Sequence, residues 1–310
     1  MNDRQAICLT FGACLLLSYI TILWRVGDTA HLVMSGLFAL GIWEIQTRKT
    51  DFYILRTRQP DSLIGVVLAV SLCLIGFKTY NFVLIRLMPF LGGIGFLLFA
   101  FSRQGLRIYI KEIVLLFFLG VPSVIALFLP DLSGLTAMFS GVLLNFTGLE
   151  ILSIEDNKFI LASKVIQVFR GCSGIEYMTY LLGLCSLCLT LFPISGLKRY
   201  FIIVCSQLLG FTVNCFRVSL LVILVNNDRQ AEFYYWHEGN GSLIFGGFSV
   251  IMLGLLYSSM IRLEYDSRGN YFPNFIKIFF ANIWFSTSQE AQFRRTENSR
   301  LDLTSKSKVK

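Results

Sequence analysis

The 310-residue chain is 55% hydrophobic and 15% charged, with a mean hydropathy of +0.66, which excludes an ordinary soluble domain and indicates a multi-pass membrane protein. The formal charge of +8 is not a sign of nucleic acid here, because excess Lys and Arg in a membrane protein report which loops face the cytoplasm. Eight cysteines, several of them inside apolar runs, imply neither a disulfide framework nor a redox compartment.

A membrane span needs roughly 20 apolar residues. On that rule the chain predicts eight helices, at 6–24, 29–46, 62–79, 82–101, 111–130, 173–193, 200–225 and 242–262, and hence an all-α integral membrane protein. The first run lacks a small-residue cleavage site and is expected to stay as the first span. Basic residues gather in alternate connections: Arg48, Lys49, Arg56 and Arg58, then Arg103, Arg107 and Lys111, then Lys198 and Arg199, then a tail with Arg262, Arg268, Lys277, Arg294 and Arg295. The positive-inside rule places these in the cytoplasm together with both termini. The opposite connections carry Asp131, Glu150, Glu155, Asp156, Asp228, Glu232 and Glu238 and are expected outside. Residues 1–262 form the multi-pass domain, and 263–310 a basic cytoplasmic tail with an interfacial helix over 272–285.

One stretch breaks the simple count. Residues 134–149 are apolar enough to span, yet a crossing there would put Cys172 and His237 on opposite sides, so this segment is read as a helix lying in or dipping into the outer leaflet. Beyond it, 151–169 changes character, with an alternation around 158–168 that suits a short hairpin. This is a short extracytoplasmic insertion that leads straight into a cysteine.

That cysteine stands in Val168-Phe169-Arg170-Gly171-Cys172-Ser173-Gly174-Ile175, at the mouth of an apolar helix. Glycines on both sides strip away bulk, and amides at a helix start favour a thiolate. Arg217 lies within an apolar run, where an arginine costs about 2.5–3.5 kcal/mol and is expected to face the bundle interior with a partner. Snorkelling to the outer headgroups is the bland alternative. Asn214, three positions earlier, shares its helix face. His237 is one of two histidines, the other being His31 near the outer end of the second span. A lone loop histidine is usually just solvated, but Gly239 and Gly241 permit a turn that aims this ring inward. Glu176, one helical turn past Cys172, is a secondary candidate for orienting the histidine or a substrate amine. Cys185-x-x-Cys188 has a redox spacing but lies deep in a span, where packing is the better reading.

The run Cys172-Ser173-Gly174-Ile175, then Asn214-x-x-Arg217, then His237 before a final span, resembles the exosortase/archaeosortase family of membrane transpeptidases over roughly residues 63–260. The resemblance implies Cys172 as nucleophile, with Arg217 and His237 completing the site. It also implies membrane-anchored substrate proteins bearing a C-terminal sorting signal of motif, membrane helix and basic cluster, processed at the inner or plasma membrane from the extracytoplasmic side. No metal, cofactor or nucleic acid is implied; the partners are those substrates and the membrane lipids. Glu176 and the long basic tail depart from the family pattern and suggest a divergent, cyanobacterial-type branch. On this reading Arg217, or the amides of Ser173 and Gly174, would stabilise an oxyanion, and His237 would move the protons.

Two rival readings stand beside it. Gly171-Cys172-Ser173-Gly174 is also a literal G-x-S-G, resembling rhomboid-type intramembrane serine proteases, which would make Ser173 the nucleophile. A non-enzymatic channel or carrier would instead spread polar residues along several spans.

Overall fold

The computed structural model describes residues 3–48, 59–79 and 81–266. Ten helices and three strands follow one another among these residues: α1 (Asp3–Val26), α2 (Thr29–Thr47), α3 (Gln59–Lys78), α4 (Phe82–Ile108), α5 (Ile110–Ile125), α6 (Ser133–Asn145), β1 (Ile151–Glu155), β2 (Lys158–Leu161), β3 (Val165–Gln167), α7 (Ile175–Leu191), α8 (Leu197–Asn226), α9 (Gln230–His237) and α10 (Asn240–Asp266). Six segments are long and apolar enough to cross a bilayer: Ala6–Val26, Asp61–Lys78, Phe82–Ile108, Ile110–Phe128, Leu197–Asn226 and Asn240–Arg262. The protein is therefore an all-α integral membrane protein, and the expected eight spans are an approximate count. Of the other two, α7 has 17 residues, and α2 dilutes its apolar run with His31, Glu44 and Gln46.

Several boundaries differ from expectation. α4 does not stop near residue 101 but turns through Ser102, at φ 59° and ψ −167°, and runs on to Ile108. Asp61 of α3 accepts hydrogen bonds there from the Ser102 hydroxyl and from Arg103 Nε. Arg103, Arg107 and Lys111 thus sit on helices joined at Tyr109, and Lys198 and Arg199 fall in the first turn of α8, rather than in loops. The expected helix at 272–285 and the tail after Asp266 lie outside the described residues.

Close backbone approach holds the bundle together, as expected where lipid supplies no hydrophobic drive between helices. A Cβ at Gly65 of α3 would meet the Gly95 carbonyl of α4 at 2.5 Å, and one at Gly210 of α8 would meet the Met178 amide of α7 at 3.0 Å. α8 is the central element; Asn214 and Arg217 are among its buried residues.

α6 has 13 residues and rises about 20 Å, short of the roughly 30 Å hydrocarbon core. It lies against α8: Ser140 Oγ donates to the Cys215 carbonyl at 3.1 Å, and Ser219 Oγ to the Ser140 carbonyl at 3.2 Å. The insertion that follows is a three-stranded antiparallel meander in the order β1-β2-β3, one strand more than the expected hairpin. The extra strand is β1, which pairs with β2 through a register irregularity between Ile151 and Ser153. Phe159, Leu161 and Val168 of the sheet segment pack with Ala137 and Leu144 of α6 and with Val218 and Val222 of α8; Cys172 lies against this cluster.

Candidate functional site

The segment from Val168 to Ser173 is tied down by several backbone bonds. Val168 and Asn157 are joined by two bonds, each 2.8 Å. A single 3-10 turn, Arg170–Cys172, follows. Arg170 Nη2 donates to the carbonyls of Ala126 (3.1 Å), Leu127 (2.9 Å) and Leu129 (2.7 Å), tying this turn to the end of α5. The Cys172 carbonyl accepts from Asn214 Nδ2 at 2.7 Å, and the Ser173 carbonyl from Thr136 Oγ1 at 2.9 Å. α8 and α6 thus grip two consecutive carbonyls around the cysteine.

The flanking glycines do different jobs. A Cβ on Gly171 would meet nothing within 4 Å, so this side of the sulfur is open. Gly174 has φ +87°, the left-handed region that disfavours a side chain, and a Cβ there would lie 3.0 Å from Asn214 Nδ2. Its missing side chain makes room for Asn214, so of the two glycines only Gly171 leaves open space beside the cysteine.

His237 does not stand in a loop, as expected, but is the last residue of α9. Its ring stacks on Phe233, one turn earlier, with centroids 5.1 Å apart and planes at 11°. Nε2 lies 3.4 Å from Cys172 Sγ, and Nδ1 lies 3.4 Å from Glu238 Oε1. Gly239 and Gly241 form the tight corner between α9 and α10: a Cβ at Gly239 would meet the Tyr235 carbonyl at 2.8 Å, and one at Gly241 the Trp236 ring at 2.8 Å. Burial, and then the Arg217 guanidinium, hold the imidazole below its ordinary pKa, against an upward pull from Glu238. The neutral ring is therefore favoured, and a neutral ring can accept a thiol proton.

Arg217 is 7% exposed, and its Nη2 donates to the His237 carbonyl at 2.7 Å. It faces inward with a partner rather than reaching outward as a snorkelling residue would. Its Nε is buried without a partner, as is Asn214 Oδ1. The structure therefore brings Cys172, Asn214, Arg217 and His237 together from three separate segments.

Ser173 and Glu176 fall elsewhere. The Ser173 hydroxyl is buried without a partner while the adjacent thiol faces the histidine, so the geometry gives the rhomboid-type reading no base for its serine. The Ser173 amide donates to the Arg170 carbonyl at 3.1 Å inside the turn, which removes it from the oxyanion donors considered above. Glu176 turns to Arg86 of α4 (Nη2 at 3.4 Å) and to Tyr180 (OH at 3.1 Å). Arg86 is 2% exposed, pairs with Asp28 at 2.8 Å, and lies near His31, which is 0% exposed and stacks on Tyr180. Arg86 was missed in the sequence, although an arginine inside an apolar run is the same signal that drew attention to Arg217. Thr136 and Arg170 were missed as supporting groups because their partners lie in distant segments, and Phe233 and Glu238 because α9, which sets them beside His237, was not expected as a helix. Among the described residues, no group of three or more His, Cys, Asp or Glu side chains is arranged to hold a metal ion.

A family model described as transmembrane exosortase (Exosortase_EpsH) matches residues 23–254. No curated protein and no solved structure matches the chain.

Proposed function

Since the chain belongs to the transmembrane exosortase family, membrane-embedded sorting transpeptidases or proteases, we propose that it cleaves C-terminal sorting signals from membrane-anchored exported proteins, with Cys172 as nucleophile. The observation that carries this reading is the 3.4 Å approach of Cys172 Sγ to His237 Nε2, with His237 held through its carbonyl by Arg217.

In the proposed reaction His237 Nε2 takes the thiol proton as the sulfur attacks the carbonyl carbon of the scissile peptide. The oxyanion that forms is met by the Arg217 guanidinium, whose Nε is free of other partners. Collapse breaks the C–N bond, and the imidazolium returns its proton to the leaving amine. The C-terminal helix departs and a thioester stays on Cys172. Water or an acceptor amine then attacks the thioester carbon while His237 takes its proton; collapse breaks the C–S bond, and the imidazolium returns the proton to the Cys172 sulfur. The positive-inside pattern supports an extracytoplasmic site, and residues 1–262 and 263–310 serve as catalytic domain and cytoplasmic tail.

The test replaces each adjacent nucleophile in the source organism and follows membrane proteins that keep their C-terminal helix. Cys172→Ala is expected to accumulate them, while Ser173→Ala leaves most processing intact. The reverse result overturns the assignment.

A further inference from the structure

β3 has one paired edge and one open edge. Its partners on β2 are Lys158↔Gln167, Phe159↔Ile166 and Ile160↔Val165. The flanking bonds, Leu161 N–H to the Lys164 carbonyl at 2.9 Å and Val168 N–H to the Asn157 carbonyl at 2.8 Å, set the phase of the ladder. Antiparallel strands turn alternate residues toward the partner, so 164, 166 and 168 face β2, and Val165, Gln167 and Phe169 face away. Among the described residues, no N–H or C=O of Val165 or Gln167 has a partner. Phe169 continues the extended path at φ −81° and ψ 159°, and its carbonyl accepts from the Cys172 amide at 2.8 Å. The open edge therefore ends three residues before the nucleophile.

One face of the sheet is covered by α6, where the paired residues Ile154 and Phe159 both approach Gly141. A Cβ at Gly141 of α6 would meet Ile154 of β1 at 2.3 Å, and one at Gly134 would meet the Asp156 carbonyl at 3.2 Å. Open edges usually carry charge, proline or a bulge against unwanted pairing. Here the outward positions are Val165, 65% exposed, then Gln167, then Phe169, 68% exposed; none is charged or a proline, and the edge is limited only by the three-residue length of β3.

We propose that the β3 edge is a docking strand for the substrate: the extended segment just before its membrane helix adds as a fourth strand and leads the scissile bond to Cys172. This rests on the function proposed above. The occupant follows from position and chemistry: the edge ends three residues before Cys172, and a segment unwound from its membrane helix so that its carbonyl is open to attack carries free N–H and C=O groups that an open edge can pair. Edge pairing holds the main chain whatever its sequence and leaves alternate side chains to supply specificity.

The test uses Gln167→Pro, which deletes one outward N–H and no bond to β2, a substitution that edge strands accept. The probe is a host protein that keeps its C-terminal helix in the Cys172→Ala strain. Gln167→Pro is expected to slow its processing about tenfold, the cost of one backbone bond, while Gln167→Ala stays within about twofold. Alkylation of Cys172 by iodoacetamide is expected to match the wild type in both, showing an intact site. If alkylation changes in Gln167→Pro, Val165→Pro and cross-linking decide. In the Cys172→Ala background, Gln167→Cys is expected to form disulfides with alternate positions of the substrate segment, each carrying an introduced cysteine. Wild-type processing by both proline variants, or cross-links only between two copies of the enzyme, overturns the docking strand. If the Cys172→Ala strain accumulates no such protein, the proposed function itself fails, whatever the edge does.

Discussion

Arg217→Lys keeps a positive charge and removes the fork. In the native site Nη2 donates to the His237 carbonyl at 2.7 Å, and the residue is only 7% exposed. A hydrogen bond with a charged donor is worth about 1.5–3 kcal/mol, and an ammonium on a flexible stem cannot reproduce the planar geometry. At a tenfold change per 1.36 kcal/mol, losing the equivalent bond that the guanidinium is proposed to give the oxyanion lowers the rate roughly 10- to 150-fold. The charge remains, so the imidazole stays below its ordinary value of 6.5 and the acid limb of the pH profile hardly moves. Arg217→Gln separates the two effects. Activity needs neutral His237 as base, so it is present above the imidazole pKa and lost as pH falls through it. Removing the neighbouring cation raises that pKa and shifts the loss to higher pH. The assay is release of the C-terminal helix at matched protein amounts across about pH 5–8. A near-native rate for Arg217→Lys, or an unmoved acid limb in Arg217→Gln, would refute this account of the arginine.

Two further perturbations probe the frame around the site. Gly174→Ala forces a side chain into the left-handed region against Asn214, and is expected to cost about 1–2 kcal/mol of stability, read as a lower thermal midpoint in detergent; an unchanged midpoint would mean the turn relaxes freely. A tag inserted at Asp156, in the β1–β2 turn, is expected to react with an impermeant reagent added outside intact cells. Labelling only after the cytoplasmic side is opened would break the proposed topology.

The chain's own residues disclosed most of the candidate constellation, because Cys172, Asn214, Arg217 and His237 are polar groups set in or beside apolar runs, and such groups are costly there without a task. What holds them together left no comparable trace. Asn214 meets the carbonyl of Cys172, and Arg217 that of His237; a carbonyl is present at every residue, so no side-chain pattern announces it. α9 was illegible for another reason: Gln230–His237 is eight residues long with no buried residue, too short and too exposed to show an amphipathic period. Glu176 misled because spacing along one helix was legible whereas its partner, Arg86, comes from a helix 90 positions away.

The two backbone contacts also explain why α8 matters more than its own chemistry suggests. Asn214 and Arg217 lie three residues apart, about 4.5 Å along the helix axis, and each holds one of the two chain segments that supply the candidate pair. A single rigid turn therefore sets the separation of the cysteine loop from the end of α9. The thiol and the imidazole need no direct tether between their own segments, and a distance of 3.4 Å is kept by groups whose hydrogen bonds go only to main chain. The backbones at 172 and 237 are held from α8, and their side chains face each other. The buried cation on that turn serves a second end: it grips the histidine segment and, after burial, its charge adds to what holds the imidazole below its ordinary pKa.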